Sequence, residues 1–480
     1  MKDGAMLWSG MALIGHLRAR VAGGTPASVG GVSIDTRTLE PGDLFFAIAG
    51  ETHDGHAFVR KAFEAGAAAA VVDEAHAGAL EGAGPLYVVK DVLQALNDLA
   101  AAARARSGAG IVAVTGSAGK TSTKEALRVA LSKSGVTHAS AASYNNHWGV
   151  PLSLARMPVE ARFGVFEIGM NHAGEITPLV GLARPHVAIV TTVAAVHLAA
   201  FRSVDEIADA KGEIFSGLEP EGVAIVNRDI EQYERLRAHA SRSRAGEIMT
   251  FGESENADAR LLGLAEIDGG AIVDASILGA ALRYRIGAQG KHMAINSLAV
   301  LLAARELGQD MREAARALSA FTPPSGRGSR SDLSIGEGKA VLIDESYNAN
   351  PASMRAALAL LGSIRVYGKG RRIAVLGDML ELGDQEQALH AGLADAIAAN
   401  RVDLVFAAGP LMKSLYDAIA PERRALWAPS SSDLADGLLE CVRAGDAVMI
   451  KGSNGSRMAP LVAMLNDRYA KVAGREDRKG

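Results

Sequence analysis

The sequence predicts an α/β protein of three domains, and three observations carry that expectation. The chain has 480 residues, which at roughly 150 residues per domain is room for about three. Short apolar runs of strand type recur between alanine-rich helical stretches, at residues 111–115, 165–168, 187–191 and 223–227, and again at 341–344, 373–376, 404–406 and 447–450. Two stretches, 104–110 and 321–328, have the small, polar, Gly- and Pro-containing character of joints. The cuts fall at 1–108, 109–322 and 323–480: an N-terminal α/β domain, a central parallel-sheet domain and a C-terminal Rossmann-like domain.

Each element follows from its residues. Apolar runs without a polar face suit parallel strands covered by helices on both sides, and this describes the middle segment. Residues 260–286 differ, with short alternating runs around Gly269-Gly270, and predict a hairpin. The last segment alternates strand and helix again, as a second doubly wound domain does. The apolar run 187–201 holds Thr191, Thr192 and His197, and predicts a buried strand followed by a loop.

Composition removes whole classes of function. Apolar residues are 49% and charged residues 22% of the chain, ordinary for a folded globular protein and unlike a disordered one. Fifty basic against fifty-four acidic residues give a net charge of −4, which argues against a dedicated nucleic-acid binder. Cys441 is the single cysteine, so neither an internal disulfide nor a Cys-based zinc site can form, which fits a cytoplasmic protein. Residues 1–14 are apolar but carry Lys2 and Asp3 and lack a signal-peptide pattern. No apolar stretch approaches the roughly 20 residues a membrane span needs.

The strongest chemical signal begins at Val112. An apolar strand runs into Gly116-Ser117-Ala118-Gly119-Lys120-Thr121-Ser122, and a helical pattern with Ala126, Leu127, Ala130 and Leu131 on one face follows, with Gly135 as its expected stop. Glycines let backbone N–H groups converge on phosphate oxygens, and the helix N-terminus adds positive dipole character. Lys120 would reach the β- and γ-phosphates, and the Thr121 hydroxyl would ligate Mg²⁺. The loop is shorter than the common phosphate loop, because Val114 stands where that pattern has its first glycine. Glu167 lies inside an apolar strand, where a carboxylate needs a partner such as Mg²⁺. His197 follows the 187–191 strand at the strand end where ligands bind in such sheets. Read alone, Lys211 is an ordinary exposed helix lysine.

Taken together, these motifs resemble the Mur ligases, the ATP-dependent amide-forming enzymes of peptidoglycan synthesis. The loop 115–122 is similar to their ATP loop, and Ser143-Tyr144-Asn145-Asn146-His147-Trp148-Gly149-Val150-Pro151 resembles their substrate loop, with Trp148 as a departure. Glu167 to Asn171, His197, Ala210 to Glu213, His292 to Asn296 and Asp344 to Pro351 follow in the family order across nearly the whole chain. The residues 33–37, 41–47, 344–354 and 376–383 look most like the member that joins D-Ala-D-Ala to UDP-MurNAc-tripeptide. The sibling that adds a diamino acid typically carries an Asp-Asn-Pro-Arg-type tetrad, which is absent here.

The resemblance implies roles, residue by residue. Gly116, Ser117, Ala118, Gly119, Lys120, Thr121 and Ser122 hold the ATP phosphates. Thr121 and Glu167 hold a first Mg²⁺, and His197 helps to hold a second. Lys211 becomes a carbamate by reaction with CO₂ and helps to organise Mg²⁺, so that Lys120, Lys211 and His197 form the catalytic group. Asn296 contacts adenine, Arg330 reaches ATP, and Asp344 has a ribose or hinge role. Ser33, Asp35, Thr36 and Arg37 face the UDP end, and residues 50–56 line the same site, with metal binding by His53 and His56 a weaker reading. Asn145 and Asn146 contact peptide or sugar, and Asn348 and Asn350 lie near the incoming dipeptide. The expected mechanism is carboxylate phosphorylation, attack of the amine on the acyl phosphate, and collapse of a tetrahedral intermediate. The expected partners are these two substrates and neither nucleic acid nor membrane, with a monomeric chain whose C-terminal domain swings on two hinges. The sibling ligase that adds the diamino acid, a folylpolyglutamate-type synthetase and a non-ligating phosphate-loop protein are the competing readings.

Overall fold

The computed structural model describes residues 6–50, 53–141, 143–196 and 198–469. Three large sheets follow one another along the chain. The N-terminal sheet has the order Arg20–Ala22, Leu86–Val89, Ala69–Asp73, Asp43–Phe46 and Gly31–Ser33, with the first strand antiparallel and the others parallel. The central sheet is nine-stranded. From one edge it runs Thr137–Ala139, Phe163–Glu167, Gly110–Thr115, Val187–Val190, Gly222–Asn227 and Ala245–Gly252, all parallel. It is extended by Ala259–Ile267, Gly270–Ile277 and Ala280–Ile286, an antiparallel meander of which the hairpin expected at 260–286 is the major part. The C-terminal sheet has the order Ser329–Ile335, Gly338–Glu345, Ala447–Lys451, Arg372–Gly377, Leu404–Ala408 and Arg424–Ala428, antiparallel only at Ser329–Ile335.

The central strands are apolar on both faces because both faces are covered. Helices Lys120–Leu131 and Lys291–Glu306 pack Leu127, Leu131, Leu298 and Leu302 onto Val112 and Val114 on one side. Helices Gly149–Ala155, Ile176–Ala183, Val204–Gly212 and Tyr233–Ser241 cover Ala113, Phe166 and Ala188 on the other. All connections between the parallel strands therefore leave their C-terminal ends on one edge, and that edge carries the phosphate loop.

Some expectations needed correction. Strands Ser329–Ile335 and Arg424–Ala428 were not foreseen, because each is a sheet edge with all but one of its residues at least partly exposed. The helix after the phosphate loop ends at Leu131, before Gly135. A Cβ on Gly135 would stand 2.7 Å from the Arg162 Cδ, so this glycine serves a close chain approach rather than a helix stop. The joint at 104–110 is not a hinge. Helix Val92–Arg106 packs Leu96 and Leu99 with Leu152 and Ala155 of the central unit, and Ala100 enters the central core. The Trp8 indole donates to the Ala155 carbonyl at 3.0 Å, and the Arg106 guanidinium lies 3.4 Å over the Trp8 ring. In the segment 321–328, Gly326 stands at φ +75° and Gly328 at φ +96°, conformations that favour glycine.

Candidate active site

The phosphate loop is cradled by the ends of neighbouring strands. Gly116 has φ +151°, and a Cβ there would stand 2.0 Å from the Thr191 Oγ1. That hydroxyl donates to the Ala118 carbonyl at 2.6 Å, the Ser117 N–H donates to the Thr192 carbonyl at 2.8 Å, and the Asn227 amide donates to the Thr191 carbonyl at 3.0 Å. Gly119 caps the helix Lys120–Leu131 in the left-handed region at φ +83°, directly under Asn296, whose Nδ2 lies 2.5 Å from where its Cβ would be. Lys120 donates to the Gly116 carbonyl at 2.7 Å. Burial holds its ammonium below the ordinary lysine range, Glu167 opposes that shift, and the positive charge of Arg327 adds to it.

Glu167, 1% exposed, ends its strand beside this loop. Its Oε2 accepts from the Thr121 hydroxyl at 2.7 Å and its Oε1 from the Asn145 amide at 2.7 Å. The Thr121 hydroxyl and the Glu167 carboxylate bring together oxygens of the kind a hard divalent cation such as Mg²⁺ requires, while Asn145 turns its amide nitrogen to the carboxylate. Lys211 is 2% exposed, contrary to its plain helical reading. Burial, with a further contribution from the Lys120 charge, pushes its ammonium well below the ordinary lysine range. His197 lies outside the described residues.

These groups open into a cleft of about 1310 Å³ between the central and C-terminal sheets. Ser117, Ala118, Gly119, Lys120, Ser122 and Glu167 line it, together with Asn145, Asn146, Asn296, Asn348 and Asn350. Asn350 caps the helix Pro351–Ser363 with its Oδ1 and points its Nδ2 at the Ser117 carbonyl, 3.4 Å away, so the C-terminal unit touches the phosphate loop.

Other expected residues stand elsewhere. Asp344 is spent on the hinge: its Oδ2 accepts from the Gly326 N–H at 2.7 Å and its Oδ1 from the Ser346 N–H and hydroxyl. Both carboxylate oxygens therefore bond within the 326–346 segment, and Asp344 is not among the residues lining the cleft. Arg330 turns away from the cleft to donate to Gln289, and burial lowers its guanidinium slightly against the pull of Asp268, Asp332 and Glu266. Ser33, Asp35, Thr36 and Arg37 form a turn off the N-terminal sheet, apart from the main cleft. The Ser33 hydroxyl donates to the Asp35 carbonyl at 3.1 Å, and Asp35 grips the exposed Arg37 side chain. The Arg156 guanidinium donates to the Val32 carbonyl at 2.6 Å and lies 5.9 Å over the Tyr144 ring, so this turn lies near the 143–151 loop. The His56 ring nitrogens are both occupied, by the Asp54 carboxylate at 2.7 Å and the Asp73 N–H at 3.2 Å, and its ring stacks on His76. Asp54, His56 and His76 offer ligand atoms within 4.8 Å of one another, a group that could hold a metal ion, and His53 is not part of it.

Arg327 and Lys451 are among the cleft residues that the sequence reading does not single out. Arg327 lies 4.1 Å over the Tyr347 ring and donates to the Ser143 hydroxyl at 3.1 Å, bridging the hinge to the 143–151 loop. Its signal was an arginine set between two glycines in a joint. Lys451, 2% exposed, ends a buried strand as Glu167 does, and that shared pattern was its signal.

Comparison with known proteins follows the same division of the chain. Residues 28–106 match the model of the Mur ligase family catalytic domain, 114–304 that of the Mur ligase middle domain, and 330–454 that of the Mur ligase glutamate ligase domain. The chain is 34% identical over 438 residues to the UDP-N-acetylmuramoyl-tripeptide–D-alanyl-D-alanine ligase of Bacillus subtilis, covering 91% of this chain and 93% of that protein. It is also 34% identical to the Escherichia coli ligase of the same name, over 80% and 82% of the two chains. Among solved structures it is similar to MurF from Acinetobacter baumannii, with TM-score 0.83, 27% identity, and 96% and 99% of the chains covered. It is likewise similar to the MurF ligase of Thermotoga maritima in complex with ADP, with TM-score 0.76, 25% identity, and 92% and 98% covered.

Proposed function

The chain belongs to the Mur ligase family, and from that premise we propose that it joins D-alanyl-D-alanine to a UDP-N-acetylmuramoyl-tripeptide with hydrolysis of ATP to ADP and phosphate. The observation that supports this most directly is the shared cleft. The phosphate loop and Glu167 form one wall, Asn348 and Asn350 of the C-terminal unit form the facing wall, and Asn350 bridges them.

The chemistry follows from the obstacle. A carboxylate repels nucleophiles and has no leaving group. Transfer of the ATP γ-phosphoryl group to the terminal carboxylate of the tripeptide makes an acyl phosphate. The amine of the dipeptide attacks its carbonyl carbon, loses a proton, and the tetrahedral intermediate expels phosphate. The backbone N–H groups of residues 116–122 and the Lys120 ammonium bind the transferred phosphoryl group, and the low exposure of the site strengthens each contact. Thr121 and Glu167 would hold Mg²⁺, which supplies charge neutralisation at the phosphates; His197 and Lys211 would serve a second ion. Lys211 would carry a carbamate, formed when its neutral Nζ bonds the carbon of CO₂ and releases a proton. The burial of Lys211 supports this, since an ordinary lysine ammonium does not sit unsolvated beside Lys120 without cost. Asn296 stands over Gly119 where a nucleotide base would follow the phosphates. The turn 33–37 would take the UDP end, and Asn145 and Asn146 the sugar or peptide. The 321–328 segment allows the C-terminal unit to close on ATP and exclude water from the acyl phosphate. No helix among the described residues is long and apolar enough to cross a membrane; use of ATP and a nucleotide-linked substrate supports a cytoplasmic reaction, carried out by a monomer.

Phosphate release with ATP, Mg²⁺ and UDP-MurNAc-tripeptide tests the reading. Release that requires D-Ala-D-Ala, with the ligated product seen by mass, is the expected result. Release only with a diamino acid and the shorter nucleotide-dipeptide would move the chain to the sibling step.

A further inference from the structure

Three lysine or arginine side chains line the cleft among the described residues: Lys120, Arg327 and Lys451. The first two are accounted for on the phosphate side. Lys120 belongs to the loop, and Arg327 is near enough to press on its charge while bonding Ser143 of the central unit. Lys451 stands on the opposite wall. Its strand pairs with Gly338–Glu345 so that Lys451 is level with Glu345, both at the C-terminal ends of parallel strands.

Sheet topology marks this spot independently. The helices Pro351–Ser363 and Lys413–Ala418, which follow the strands Gly338–Glu345 and Leu404–Ala408, pack on one face of the C-terminal sheet. The helix Ala459–Tyr469, which follows Ala447–Lys451, packs on the other. Adjacent strands whose connections leave to opposite faces open a crevice at their C-terminal ends, and ligands bind there in doubly wound sheets. Lys451 sits at that crevice. The Glu345 Oε2 at 3.2 Å and the Asn348 carbonyl at 2.9 Å take two of its three ammonium donors. One donor remains beyond these two bonds, and Lys451 is among the residues that line the cleft.

We propose that Lys451 binds the terminal carboxylate of the incoming dipeptide, with Glu345 and the Asn348 carbonyl fixing the direction of its ammonium. The inference rests on the ligase reading given above. The nucleophile is a zwitterion whose amine must reach the acyl phosphate beside Lys120. A cation on the far wall holds the carboxylate end and turns the amine toward the phosphate side. Lys451 thereby makes a free carboxylate a condition of good binding.

The test compares D-Ala-D-Ala with its C-terminal carboxamide as the amine substrate. In the wild-type chain the acid should be favoured in KM by about 10- to 100-fold, the scale of one charge-assisted hydrogen bond. In Lys451→Met that preference should fall to about onefold, with the KM values for ATP and UDP-MurNAc-tripeptide unchanged, and Lys451→Arg should restore part of it. A wild-type chain that uses acid and amide equally well overturns the proposal, with no variant needed. A preference that persists in Lys451→Met overturns it too. The double variant Glu345→Gln/Lys451→Met removes both buried charges together and carries the same comparison if the single variant fails to fold. A wild-type chain that ligates no D-Ala-D-Ala at all defeats the ligase reading itself, which separates the two failures.

Discussion

Glu167→Gln is the substitution that separates a metal-holding carboxylate from a structural one. The glutamate is buried, with one oxygen accepting from Thr121 and the other from Asn145, each at 2.7 Å. Glutamine keeps the shape and one carbonyl acceptor. The Thr121 hydroxyl can rotate to accept from the new amide, so the fold should lose about 1 kcal/mol or less. Glu167→Ala instead strands both donors in a buried site, at about 1–3 kcal/mol each, or roughly 2–6 kcal/mol together. Activity should order the two variants differently. Both remove the negative charge, so both should lose roughly 100- to 1000-fold in kcat, the scale of one preorganised electrostatic contact. Phosphate release titrated against Mg²⁺, beside thermal unfolding of each variant, reads both quantities. The expected result is a Glu167→Gln chain of near wild-type stability that needs far more Mg²⁺ for half-maximal rate. A wild-type Mg²⁺ requirement, or a stability loss equal to that of Glu167→Ala, would refute the assignment and leave Glu167 as a carboxylate kept for its hydrogen bonds.

Three further outcomes are expected. Asn350→Asp keeps an N-cap acceptor for Ser353 but replaces the donor facing the Ser117 carbonyl with a carboxylate; melting temperature should hold while kcat/KM for ATP falls roughly 10- to 100-fold, because the new negative charge beside the phosphate loop repels the carbonyl and the ATP phosphates. Arg327→Met should cost more activity than Arg330→Met in the same steady-state assay, because Arg327 lines the cleft while Arg330 bonds Gln289 away from it. Burial, followed by the charge of Arg104, pushes the His186 imidazole below its ordinary value, and its Nδ1 accepts from the Ile111 N–H. The unfolded chain then binds the proton more tightly, so stability present at neutral pH is lost as pH falls below about 6.5, by at most about 1.4 kcal/mol per pH unit for each such group. His186→Asn, which keeps an acceptor, should flatten that decline in part, with His292 and His390, whose imidazoles burial also lowers, contributing to the remainder; an unchanged pH profile of unfolding would refute it.

The residues by themselves determined the parts of this protein that depend on local order. An apolar strand, a glycine turn and a helix in sequence are enough to make a phosphate loop, and the structure shows Gly116 and Gly119 in backbone conformations that side chains resist. Alternating apolar runs were enough for the parallel sheets, because a strand buried on both faces has no polar side to hide. A carboxylate inside such a run, Glu167, announced its need for partners. Tertiary structure decided what local order does not encode. It turned Lys211 from a surface lysine into a buried one, because only the packing of helix Val204–Gly212 sets which face meets the core. It committed Asp344 to the hinge through Gly326 and Ser346, and it put Arg327 rather than Arg330 on the cleft. It made a fixed seam of the joint at 104–110, because Leu152 and Ala155 share a core with a helix some fifty residues earlier. It also set Lys451 level with Glu345, two residues more than a hundred positions apart that only strand pairing brings to one end of one sheet.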